Sequence, residues 1–84
     1  MELKRADIKN IEMHENCMEF FAENGMTAKI RFCDFARLKN ADQSVLRNYS
    51  LGLFGIRWEG LDEDISYDSI FYPEKFPLSG VLRD

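Results

Sequence analysis

The sequence predicts a small α+β fold: a three-stranded antiparallel meander plus a second short hairpin, packed with one or two short helices. Three observations carry this. Apolar and polar residues alternate with a period of two through the first half, between turn signals at Glu15-Asn16 and Asn24-Gly25. Helix-start signals follow at Asn40 and Ser66, and paired glycines punctuate a second β-rich stretch from Tyr49 to Glu59. With 84 residues, 45% hydrophobic and 13% aromatic, the chain holds one apolar core and reads as a single domain over residues 1–84.

The first two strands are expected at Ile8 to Met13 and Cys17 to Ala22. A two-residue Glu15-Asn16 loop sets Met13 against Met18 and Ile11 against Phe20, which keeps the apolar side chains on one face. The third strand runs from Met26 to Phe32. Here a three-residue turn with Gly25 in the left-handed conformation is preferred. It places Met18, Phe20 and Ala22 against Ile30, Ala28 and Met26, whereas a two-residue loop would mix the faces. The opposite face then pairs Glu19 with Lys29 across the strands.

Phe35 and Leu38 are expected to anchor an irregular turn between Asp34 and Lys39. The first helix spans Ala41 to Arg47 with Asn40 as its N-cap, Gln43 three residues on, and Val45 and Leu46 as apolar contacts covering the sheet. Tyr49 to Leu53 and Gly55 to Glu59 return to strand, with Gly52 and Gly55 permitting a turn or bulge. Ser66 caps one helical turn from Tyr67 to Phe71, closed by Pro73. Residues 73–84 read as an extended tail tied down by Phe76 and Leu78.

Composition narrows the function. Eleven basic against fifteen acidic residues give a net charge of −4, the wrong sign for holding a phosphate backbone by electrostatics, so direct nucleic-acid binding is not expected. No apolar run reaches the length of a membrane span and the amino terminus carries no signal-peptide core, which points to a cytoplasmic protein. Cys17 and Cys33 form no CxxC pair and would stay thiols there.

The segment from Asn48 to Phe71, NYSLGLFGIRWEGLDEDISYDSIF, resembles the small bacterial family called domain of unknown function 2442. The resemblance rests on the glycine-bearing Gly52 to Gly55, the strand Ile56 to Trp58, the acidic turn Leu61 to Asp64 and the serine-started helix Ser66 to Phe71. The hairpin from Met18 to Phe32 matches the family's opening. Arg57 and Glu59 stand where the family often has histidine and proline, so no role resting on that histidine carries over. The resemblance implies a compact α+β fold, no established activity, and arrangements suggestive of toxin–antitoxin pairs.

The sharpest chemical feature is the acidic cluster Glu59, Asp62, Glu63 and Asp64, with Asp68 nearby. Hard divalent cations take several oxygen ligands, which makes Glu59, Asp62 and Asp64 metal candidates. The spacing lacks the alternating acids and central glycine of a calcium loop, and a solvated acidic lead-in to a helix explains it as well. His14 and Cys17 face each other across the first hairpin, but no oxyanion donor or third orienting residue accompanies them, so no catalytic residue is assigned. Phe20, Phe32, Phe35, Phe54, Trp58 and Phe71 read mostly as core.

Phe21, Tyr49 and Tyr72 are the candidate protein-contact residues. The function expected is a non-catalytic interaction or regulatory module with a protein partner or a second copy, and without a cofactor. The alternative is a small divalent-metal-dependent enzyme or ligand-binding protein centred on residues 59–64.

Overall fold

A computed structural model describes residues 2–75 of the chain. The expected α+β class holds, with two antiparallel three-stranded sheets and two short helices. The first sheet is the meander β1 (Ile8–Met13), β2 (Cys17–Ala22) and β3 (Thr27–Arg31), and the second is the meander β4 (Ser50–Leu51), β5 (Gly55–Trp58) and β6 (Glu63–Ser66). Helix α1 spans Gln43–Leu46 and α2 spans Tyr67–Phe71.

The registers of the first sheet follow the burial test. Met13 pairs Met18 and Ile11 pairs Phe20, while Met18, Phe20 and Glu19 pair Ile30, Ala28 and Lys29. Gly25 has φ +92°, and its N–H returns to the carbonyl of Ala22 at 3.1 Å. A bulge at Lys9 shifts the start of β1, so that Ile8 faces Ala22 and Asn10 faces Phe21. Although Glu19 and Lys29 are opposed in register, their charges do not bridge; the carboxylate turns to His14 instead, at 2.8 Å.

Two expected strands are shorter, Met26 to Phe32 contracting to Thr27–Arg31 and Tyr49 to Leu53 to Ser50–Leu51, and three further expectations change. The first helix begins at Gln43 with Asp42, not Asn40, at the N-cap, because Ala36–Asn40 continues as a turn and leaves only one helical turn before Arg47. The second hairpin gains a third strand: Glu63–Ser66, read from sequence as part of an acidic turn, pairs with β5 as Ile56–Ile65, Arg57–Asp64 and Trp58–Glu63. At the carboxyl end, Pro73–Lys75 makes a turn closed by the Lys75 N–H on the Tyr72 carbonyl at 3.1 Å. The rest of the expected extended tail, with Phe76 and Leu78, lies outside the described residues.

The core lies where the inner faces of both sheets meet. Met18, Phe20 and Ile30 come from the first sheet, Ile56, Trp58 and Ile65 from the second, and Phe35 and Leu38 from the connecting turn, all buried. Helix α2 bridges the layers, packing against β3 on one side and against β5 and β6 on the other. Ser66 caps it as expected, its Oγ accepting the Ser69 N–H at 3.1 Å. Helix α1 is held to the second sheet by the buried Trp58 indole N–H, which donates to the Leu46 carbonyl at 2.8 Å. No described helix is long and apolar enough to cross a membrane.

Candidate functional site

The second sheet concentrates the unusual chemistry, beginning with a two-residue tip. Strands β4 and β5 are joined through Gly52, Leu53 and Phe54, and the Gly52 N–H closes the turn on the carbonyl of Gly55, the first residue of β5, at 2.8 Å. Gly55 is required by close approach: a Cβ there would lie 2.4 Å from the Ile65 carbonyl oxygen and 2.9 Å from the Ser66 Cα.

The other three carbonyls of the tip are also taken. The Tyr67 hydroxyl donates to Gly52 at 2.8 Å, the Arg5 N–H to Leu53 at 2.7 Å, and the Tyr67 N–H to Phe54 at 2.9 Å. Four consecutive carbonyls therefore have fixed partners, drawn from the tip itself, the amino-terminal segment and α2. Burial pushes the Tyr67 phenol above its ordinary value, with the charge of Arg5 acting the other way, so Tyr67 keeps its proton and remains a donor.

The side chains on this fixed backbone point outward. Leu53 is 60% exposed and Phe54 43% exposed, the large hydrophobic side chains left open to solvent among the described residues. Phe54 is thus a correction to the core assignment of its strand-like setting: a turn places it outside the alternation. Beside it, an open groove of about 370 Å³ runs over the outer face of the sheet, lined by Leu51, Gly52, Phe54, Gly55 and Ile65, with Arg57 and Asp64 at its polar end.

Arg57 also settles where the acidic residues go. Cross-strand pairing sets it opposite Asp64, and a 3-10 turn at Glu59–Leu61 followed by Asp62 in the left-handed conformation (φ 51°) folds the remaining acids back over it. The guanidinium reaches Glu59 Oε1 at 3.3 Å, Asp62 Oδ1 at 3.0 Å and Asp64 Oδ2 at 2.5 Å. These bonds, that of Asp62 foremost, hold the Arg57 pKa above its ordinary value. The three metal candidates converge, but on a side-chain cation that already fills their centre. A metal ion would have to displace it.

Glu63 faces inward instead, only 5% exposed. Desolvation raises its pKa, against the opposing charge of Arg37 and the Asp64 backbone N–H. Arg37 in turn donates to the Asp62 carbonyl at 2.6 Å, which fastens the acidic corner to the loop before α1.

The aromatic contact candidates occupy three settings. Phe21 is half-buried on the outer face of the first sheet, beside a groove of about 290 Å³ that also involves Asn10, Met26 and Thr27. Tyr49 packs edge-on against Trp58, ring centres 6.5 Å apart and planes at 62°. Tyr72 is half-buried, its hydroxyl on the Met26 sulfur at 3.2 Å. His14 and Cys17 are backbone partners, the His14 N–H on the Cys17 carbonyl at 2.9 Å, but the imidazole engages Glu19. Both cysteines are free thiols.

Fold and site together define a two-sheet α+β module that presents a pinned apolar tip beside an arginine-centred carboxylate cluster. The chain belongs to the family described as protein of unknown function (DUF2442), whose pattern matches residues 8–76. No curated protein and no solved structure matches it.

Proposed function

We propose that the protein is a non-catalytic interaction module that binds a protein partner through the Leu53–Phe54 tip and the adjoining groove. The observation that carries this reading is the combination of exposure with immobilisation. Exposed apolar side chains on a loose loop lose affinity to ordering, whereas a tip whose four carbonyls are already bonded has met that cost on folding. The acidic rim supplies the partner's character. Three carboxylates surround one guanidinium at the end of the groove, in a chain of net charge −4, so the complementary surface is apolar and flanked by basic groups.

A regulatory role as the antitoxin-like half of a two-protein pair is the narrower form of this reading, in a cytoplasmic setting where both thiols persist. The reading assigns no catalytic residue and no direct nucleic-acid contact. It is tested by placing a photo-crosslinking residue at position 54 and comparing the native chain with Leu53→Ser/Phe54→Ser for the partner captured. The account expects one basic protein to be crosslinked and to bind the purified chain, with binding lost in the double variant while its melting temperature is kept. A monomer that crosslinks to nothing, or a partner bound equally by the double variant, contradicts it.

A further inference from the structure

We propose that Glu12, His14 and Glu19 form a surface site for a divalent cation of the zinc class, on the outer face of the first hairpin. The two-residue loop that pairs Met13 with Met18 also sets Glu12 directly opposite Glu19 on the neighbouring strand. His14 lies two residues beyond Glu12, so the period of two brings its ring to the same face. Two carboxylates opposed across a strand pair repel and destabilise the sheet unless something positive lies between them.

Side-chain cations do not fill that place. Lys29 is the cross-strand neighbour of Glu19, yet among the described residues no lysine or arginine comes within 4.0 Å of either carboxylate. This is the reverse of the second sheet, where Arg57 sits at the centre of its three acids. Both glutamates turn instead to one atom, the His14 Nε2, with Glu19 Oε1 at 2.8 Å and Glu12 Oε1 at 3.8 Å. A single ring nitrogen donates one hydrogen and cannot satisfy both.

A cation between the three can. Their ligand atoms all lie within 4.8 Å of one another. Around a tetrahedral ion with bonds of about 2.0–2.2 Å, neighbouring ligand atoms are about 3.3–3.6 Å apart, and the observed 2.8 and 3.8 Å bracket that spacing. One imidazole nitrogen and two carboxylate oxygens suit zinc and its neighbours better than calcium, which takes six to eight oxygens. With all three side chains partly open to solvent, water completes the shell.

The test is calorimetric titration of zinc chloride into the full chain in a non-chelating buffer, read alongside the imidazole resonances of His14, the one histidine in the sequence. One equivalent of zinc is expected to bind and to shift those resonances, while calcium at the same concentration does neither. His14→Ala, and Glu12→Gln with Glu19→Gln, should each weaken binding by about tenfold or more, since removing even a residue that only supports a ligand costs that much. These exposed substitutions should leave the fold intact, which the melting temperature checks. The site is overturned if zinc leaves the His14 resonances unmoved, if His14→Ala binds as tightly as the native chain, or if binding is lost in Cys17→Ser or Cys33→Ser instead.

Discussion

The two sheets share one topology and are held together differently. In the first, strands of five or six residues bury alternate side chains, and the register follows from which pairing keeps Met18, Phe20, Ala22 and Ile30 on one face. In the second, β4 has two residues and β5 and β6 four each, short strands that still alternate and bury Ile56, Trp58, Glu63 and Ile65. Backbone terms add to that burial: a glycine that lets β5 approach β6, an aspartate in the left-handed region, and carbonyls pinned by Arg5 and Tyr67. The lesson is that side-chain burial suffices to hold the first sheet, whereas the shorter strands of the second combine burial with backbone pinning at the exposed tip.

Substitutions can break this contrast. Phe20→Ala removes a fully buried ring from the first sheet and should cost about 3–5 kcal/mol, seen as a fall in the denaturant midpoint. Gly55→Ala adds one methyl to the second sheet, but against backbone that cannot step aside; about 3 kcal/mol is expected, the upper end for overpacking. If side-chain packing alone held the second sheet, Gly55→Ala would melt within a degree or two of the native chain. Gly25→Ala serves as the control, since its added methyl meets open space and only the positive φ opposes it, at about 1–2 kcal/mol.

A smaller effect tests the polar interior. Burial raises the Glu63 carboxyl above its ordinary value of 4.5, so the folded chain holds that proton more tightly than the unfolded one. The stability this confers is fully present below pH 4.5 and is lost as pH rises through the raised folded value. Glu63→Gln should therefore melt higher than the native chain at pH 7, with the gain shrinking as pH falls below the ordinary carboxyl range. A gain that does not change with pH would contradict the desolvation account.

The same contrast explains what the sequence disclosed. Alternation and the Asn24-Gly25 turn made the pairing of the first sheet legible apart from the Lys9 bulge and the ends of β3, and Ser66 announced α2. Strand β6 was hidden because its inward positions hold Glu63 and Ile65, so a buried carboxylate broke the apolar pattern within the acidic run. The arginine-centred cluster was within reach: pairing β5 with β6 across a tight turn sets Arg57 against Asp64 and curls Glu59 and Asp62 over it. The first hairpin's register likewise implied that Glu12 opposes Glu19 with His14 beside them. The exposure of Leu53 and Phe54 depended on contacts from Arg5 and Tyr67, which are remote in sequence and which local pattern does not encode.

The most direct test of the account is amide hydrogen exchange at Gly52, Arg5 and Tyr67, the backbone donors that hold the tip. Pinning predicts that all three exchange only through openings nearly as costly as global unfolding, as slowly as the amides of β2, although Leu53 and Phe54 stand in solvent. Exchange at the rate of a frayed loop, with β2 still protected, would show that the tip is not held in the free chain and would contradict the account.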